Sequence, residues 1–280
     1  MERSAGHWAA ALRRVTSVFF LGVVGASATS ASEPVEEIVS VKTQSGHIQA
    51  GVLSRVTTSS QPTKLLVVIS GHPGVTRPFV NATGRIQTKQ DGNFLVRSRK
   101  FLVSADVATL LLDCRTDFES VCPDDYQASA ARVADIQLLI DHARSKIPSL
   151  LDQWAVSTSR GVITTAGLAK HAPSRYAGLI HTAGTYGKAM DQGLTFEKSS
   201  VAQYFFHHRD DPCPMTLHEH AQAVSSKNGH SLVTVMGGGG FRGQPCQAFT
   251  QHGFTGQEQK VGLAIRALVE TGRPASSLIE

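Results

Sequence analysis

Apolar positions along this chain fall into two kinds of run. Short continuous runs come first: Lys64-Leu65-Leu66-Val67-Val68-Ile69-Ser70 and Asp106 to Asp113, which carries Val107-Ala108-Thr109-Leu110-Leu111-Leu112. Such runs predict strands buried on both faces of a parallel sheet. Gln153 to Thr158, Tyr176 to Thr182, Val201 to His207 and His230 to Met236 read as four more strands. Ahead of them, Val35 to Thr43 alternates like a half-buried strand, Ser45-Gly46 turns it, and His47 to Thr57 returns, which predicts a hairpin. The second kind of run recurs at three and four residues. Val133, Ile136, Leu139, Ile140 and Ala143 predict a helix over 126–147, stopped by Pro148. Helical spacing also covers 94–105, 161–170, 215–227 and 255–271. An antiparallel start followed by alternating strands and helices predicts a mostly parallel sheet covered on both faces. No linker divides the chain.

The first residues fall outside this pattern. Arg13-Arg14 precede a short apolar stretch, Val15 to Gly25, and then Ala26-Ser27-Ala28. A positive flank, an apolar segment and an Ala-x-Ala site together predict a secretory signal over 1–31, cleaved after Ala28 or Ala31. The stretch is short for a membrane anchor, which needs about 20 residues. Export to the periplasm or the medium is expected, with 32–280 as one mature domain. Four cysteines, an even number, fit an oxidising compartment. The formal net charge of +5 includes Arg3, Arg13 and Arg14. Cleavage would remove them, and no basic stripe with interleaved aromatics argues for nucleic acid.

The candidate chemistry begins at Trp154-Ala155-Val156-Ser157-Thr158-Ser159-Arg160-Gly161, where an apolar strand runs through small residues into a helical pattern. A serine on such a turn is lifted above the sheet edge, over the N–H groups of the helix that follows. The spelling is Ser-x-Ser-x-Gly, with Ser157 in place of the usual first glycine. Ser157 is the alternative nucleophile, but it belongs to the strand. Ligands of such sheets bind at the carboxyl ends of strands, and two further candidates lie there. Asp210 and Asp211 follow His207-His208, and His252 follows a glycine-rich stretch, Gly237-Gly238-Gly239-Gly240, expected to be mobile.

The chain order serine, aspartate, histidine resembles that of the α/β-hydrolase superfamily over residues 35–272. The resemblance implies the α/β-hydrolase fold: a mostly parallel sheet with an antiparallel N-terminal hairpin and helices on both faces. His208-Arg209-Asp210-Asp211 is similar to the family's strand end, two spacers and acid, so Asp211 is preferred to Asp210. Gln251-His252-Gly253-Phe254 precedes a helix, as the family's histidine does. Ser70-Gly71-His72-Pro73-Gly74 resembles the family's His-Gly-x-Pro-Gly loop, with Ser70 replacing the histidine. The resemblance implies Ser159, Asp211 and His252 as catalytic residues, and the backbone N–H groups of His72 and Arg160 as oxyanion donors. It implies hydrolysis of a small carboxylic ester through an acyl-enzyme, with no cofactor. Amide or peptide hydrolysis and acyl transfer use the same machinery, and a non-catalytic binding protein could keep the fold.

If Asp211 and His252 meet, their loops are close, and a Cys213–Cys246 disulfide becomes geometrically plausible. Cys114 and Cys122 flank a short loop and form the second expected pair. His72, His207 and His208 could shape a pocket, lined by loops 72–80, 114–126 and 184–199. Arg97 and Arg160 could meet an acidic group but read better as structural charges. His218 and His220 stand about 200° apart on a helix and do not form a metal pair. Only Ala183 to Ser200 separates two predicted strands where the family inserts its cap, so a small lid at most is expected.

Overall fold

Strand Lys64–Ile69 shows how the fold is organised, because its side chains alternate between two separate cores. Leu65, Val67 and Ile69 join one, and Leu66 and Val68 the other. A strand buried on both faces has no polar side to display, which is why its sequence is apolar throughout. The computed structural model describes residues 33–280, together with Met1. The predicted signal segment lies outside the described residues.

In chain order the strands are β1 (Val35–Lys42), β2 (Ile48–Arg55), β3 (Lys64–Ile69), β4 (Phe79–Val80), β5 (Ile86–Gln87), β6 (Val107–Leu112), β7 (Asp152–Thr158), β8 (Gly178–Thr182), β9 (Ala202–His208), β10 (Ser231–Val235) and β11 (Leu278–Ile279). The helices are α1 (Phe94–Arg97), α2 (Asp124–Gln127), α3 (Ala130–Lys146), α4 (Val162–His171), α5 (Tyr186–Asp191), α6 (His218–Asn228) and α7 (Glu258–Thr271). Among the described residues, nine strands form the main sheet in the order β1-β2-β6-β3-β7-β8-β9-β10-β11, and β4 and β5 form a separate small hairpin. The pairs β1–β2 and β2–β6 are antiparallel, and from β6 to β11 all pairs are parallel. One face is covered by α3 and α4 through Ile136, Leu139, Ile140 and Leu168. The other is covered by α1 and α7 through Phe94, Leu95, Val261, Ile265 and Leu268. The predicted sheet, its hairpin and its two helical layers are all present.

Four predicted helices differ in extent, that over 215–227 by starting at His218. The one over 126–147 is interrupted, because Ser129 is extended (φ −84°, ψ 156°) and its side chain accepts the Arg132 N–H as an N-cap. The one over 94–105 is a single turn followed by a 3-10 turn at Arg99–Phe101. Its apolar residues do reach the core, but through successive turns. The last helix starts at Glu258 instead of 255, because Gly256 adopts φ +82°. The parallel edge strand β11 and the helix α5 were not foreseen.

β3 and β7 are neighbours in register, with Ile69 opposite Ser157. Whatever follows Ile69 therefore stands beside whatever follows Thr158. β9 and β10 end at the same edge, with His208 opposite Val235. The topology thus gathers the ends of β3, β7, β9 and β10 along one rim.

Candidate active site

Ser159 is the first residue past β7 and has φ +52°, a left-handed conformation that non-glycine residues rarely adopt. That backbone turns the strand into the 3-10 turn Ser159–Gly161 and on into α4. Two glycines permit the turn. A Cβ on Gly161 would stand 2.6 Å from the Ser70 carbonyl oxygen, and one on Gly71 would stand 2.9 Å from the Ser159 Cβ. The alternative, Ser157, is fully buried within the strand, with its Oγ 2.8 Å from Thr165 Oγ1.

His252 Nε2 lies 3.1 Å from Ser159 Oγ, and His252 Nδ1 lies 3.0 Å from Asp211 Oδ2. The structure therefore brings together all three residues singled out from the sequence. Asp211 is buried, and its Oδ1 accepts the Cys213 N–H at 2.9 Å. Asp210 points outward with its side chain 58% exposed, beside Arg209. Thr216, which no motif marked, donates its hydroxyl to Asp211 Oδ2 at 2.9 Å and lies 3.0 Å from His252 Nδ1. The Thr250 hydroxyl accepts the His252 N–H at 3.2 Å and sets the short turn that presents the imidazole.

His207 and His208 do not line the cavity that contains Ser159. His207 is fully buried behind Asp211: its Nε2 lies 3.3 Å from Asp211 Oδ2 and also meets the Thr216 carbonyl. With two oxygen acceptors there, Nε2 carries the proton, and Nδ1 has no hydrogen-bond partner among the described residues. Burial pushes the Asp211 carboxyl up, but hydrogen bonds from His207 and His252 outweigh it and hold the group well below the usual carboxylate range. His208 Nε2 instead donates to the Gly237 carbonyl at 2.9 Å. The glycine stretch is fastened further by Gln257, whose Nε2 donates to the Met236 carbonyl at 2.7 Å.

The loop after β3 is held by Gln90. The Ser70 hydroxyl donates to Gln90 Oε1 at 2.7 Å, and Gln90 Nε2 donates to the carbonyls of Gly71 and His72 at 3.2 and 3.0 Å. His72 and Arg160 line the same cavity as Ser159. The Arg160 side chain is bound by both oxygens of Asp124 at 2.6 and 2.7 Å, and Arg97 pairs with Glu258 at 3.0 Å. Both arginines are occupied structurally.

The cysteines form the two expected pairs, Cys114–Cys122 and Cys213–Cys246. The second joins the acid loop to the histidine loop, and Cys246 itself borders the cavity. That cavity measures about 610 Å³. Its walls come from 71–72, 89–90, 92–94, 158–160, 246–248, 252–253 and single residues such as Thr185 and Met215, and not from 114–126. Between β8 and β9 the chain makes only α5 and a return loop that buries Leu194 and Phe196. His218 is hydrogen-bonded to Thr234 Oγ1 at 3.1 Å.

Est1E from Butyrivibrio proteoclasticus is similar over 83% of this chain and 97% of its own, with a TM-score of 0.57 and 14% identity. XC6422 from Xanthomonas campestris, described as an α/β serine hydrolase without lid, matches 86% of this chain and 96% of its own, with a TM-score of 0.56 and 12% identity. The esterase Est22 matches 86% and 82%, with a TM-score of 0.58 and 10% identity. The chain has the α/β-hydrolase fold. No family profile matches the sequence, and no curated protein matches it. In the α/β-hydrolase fold of this chain, the hydrogen-bonded serine, aspartate and histidine lie on the connections that follow β7, β9 and β10, in that order.

Proposed function

We propose that this protein is an exported serine hydrolase that cleaves a small carboxylic ester through an acyl-enzyme. The observation that carries the reading is the continuous chain Ser159 Oγ, His252, Asp211, with separations of 3.1 and 3.0 Å. A serine hydroxyl is a weak nucleophile at neutral pH. In the proposed reaction its proton passes to His252 Nε2 as Oγ bonds to the ester carbon, and His252 returns that proton to the departing alkoxide. Asp211 fixes the imidazole with its proton on Nδ1 and stabilises the cation that forms. Water then repeats the sequence on the acyl-enzyme and releases the acid. The carbonyl oxygen becomes an oxyanion in each half, for which the N–H groups of His72 and Arg160 are the proposed donors.

Est22 is named as an esterase, and Est1E has a structure with ferulic acid bound. This favours ester over amide as the scissile bond. Two disulfides support export, and no helix among the described residues is long and apolar enough to cross a membrane. The first test is labelling of the oxidised protein with a fluorophosphonate, beside Ser159→Ala and Ser157→Ala, followed by turnover of p-nitrophenyl acetate. The expected result is labelling lost only in Ser159→Ala. A folded protein that does not label overturns the hydrolase reading and favours a binding role.

A further inference from the structure

A second cavity of about 440 Å³ adjoins the first across shared lining residues. It lies between α5 and α6, and Thr185, Lys188 and Met215 border both cavities. The link to the nucleophile is direct, since the Thr185 N–H donates to the Ser159 carbonyl at 3.3 Å. Beyond that junction the wall is largely carbon. Tyr186 and Val224 form the buried floor, and Met190 and Met215 form the rim at 50% and 51% exposure. Lys188 stands at the mouth, where Asp191 lies 3.5 Å from its ammonium. Half-exposed methionines facing one groove leave apolar surface in water, and their flexible thioethers adapt to a flexible apolar partner.

We infer that this groove is the substrate subsite for an unbranched aliphatic chain of the ester. The inference rests on the proposed function, because its argument is continuity with Ser159. A chain attached at the scissile carbonyl can leave the first cavity past Thr185 and Met215 and lie along Met190, removing its methylenes from water. Burying one methylene changes a binding or activation free energy enough to alter the rate by up to about fourfold. The groove should therefore impose a rising preference from two carbons to about eight, and a polar wall should flatten it. A glutamine has nearly the length of methionine and keeps the shape while removing the apolar surface.

The test measures kcat/KM for p-nitrophenyl acetate, butyrate, hexanoate and octanoate, and for octyl acetate, which carries the chain on the alcohol side. The full oxidised chain is compared with Met190→Gln, Met215→Gln and the control Leu151→Gln, an exposed apolar residue far from the site (74% exposed). The expected result is a long-to-short selectivity above tenfold that falls by about tenfold in the two methionine variants and persists in Leu151→Gln. The substrate set in which the fall occurs, acyl or alcohol, identifies the half of the ester held. Alkyl fluorophosphonates of the same chain lengths give a second readout through inactivation rates. Acetate turnover with a flat chain-length profile, or with selectivity untouched by both methionine variants, overturns the subsite and leaves the hydrolase reading intact. A protein that neither labels nor turns over any ester overturns both.

Discussion

His207 Nε2 lies 3.3 Å from Asp211 Oδ2, the carboxylate oxygen that also faces His252 Nδ1 at 3.0 Å. Two histidines thus converge on one buried oxygen, with the Thr216 hydroxyl as a third donor. His207 belongs to β9 and is fully buried, so its ring cannot swing away. In the proposed reaction it touches neither substrate nor Ser159 and works through Asp211, as a positioning residue.

Replacing His207 by phenylalanine removes a charge-assisted hydrogen bond worth about 1.5–3 kcal/mol. Partial expression of that loss in the transition state lowers kcat by about tenfold or more, with KM changed by less than about twofold. His207→Gln keeps an N–H in reach of Asp211 and the Thr216 carbonyl and should recover most of the rate. Steady-state kinetics of both variants check this. Equal losses in both would reduce His207 to a packing residue.

Gln90 is the corresponding support of the Ser70–His72 loop, which carries one of the proposed oxyanion donors. Gln90→Leu leaves the Ser70 hydroxyl and the carbonyls of Gly71 and His72 without their partner, a cost of about 1–3 kcal/mol in stability. Displacing one oxyanion donor costs about 2.7–4 kcal/mol of barrier, so full displacement should lower kcat by about a hundred- to a thousandfold. Fluorophosphonate labelling should slow with it, because the probe forms a comparable oxyanion. A variant that loses stability but keeps its labelling rate would show that Gln90 does not set the loop.

The two disulfides should differ in kind. Cys213 and Cys246 are 33 residues apart, against 8 for Cys114 and Cys122, so loop-closure entropy gives the first about 3–4 kcal/mol and the second about 2–3. Only the first ties the acid loop to the histidine loop. Cys213→Ala with Cys246→Ala should lower both the urea midpoint and kcat, whereas Cys114→Ala with Cys122→Ala should lower the midpoint with a smaller effect on kcat. Similar kcat losses in the two double variants would sink the distinction.

Sequence patterns showed the sheet because a strand buried on both faces must be apolar throughout, as β3 and β6 are. Ser159 and Asp211 were legible because each lies just past a strand end, and strand ends are marked by where apolar runs stop; His252, far beyond the end of β10, was legible only from its place before a helix, as the family resemblance implies. Gln90, Thr216 and His207 were not legible in these roles. Each is a polar residue whose role depends on a partner brought near by tertiary folding or by a tight turn, and no spacing announces such a partner. The helix expected over 94–105 failed for a related reason. Phe94, Leu95 and Leu102 all reach one core, but successive turns bury such a set as well as a helix does. β11 is two residues long and carries no periodicity to read.

Behind the elbow lies a buried relay that predicts how stability responds to acid. Ser157 Oγ meets Thr165 Oγ1 at 2.8 Å, Thr165 Oγ1 meets His181 Nδ1 at 2.9 Å, and His181 Nε2 meets Gln203 Oε1 at 3.0 Å. Gln203 Oε1 only accepts, so Nε2 carries the proton and Nδ1 accepts from Thr165. Burial lowers the His181 pKa from 6.5 to about 4, against the opposing pull of Gln203. Between those values the unfolded chain binds a proton that the folded chain refuses. The neutral ring's contribution is therefore complete above pH 6.5 and is lost progressively as pH falls toward 4, by about 3 kcal/mol in all. Asp211, held low instead of high, loses its contribution only below the ordinary carboxylate range, so the two windows separate. Urea unfolding at pH 7, 5.5 and 4 should show His181→Leu less stable than wild type at pH 7, because Thr165 and Gln203 lose a partner. The gap should narrow by about 3 kcal/mol on going to pH 4. Parallel stability curves for the two proteins would mean that His181 is protonated, or hydrated, in the folded state.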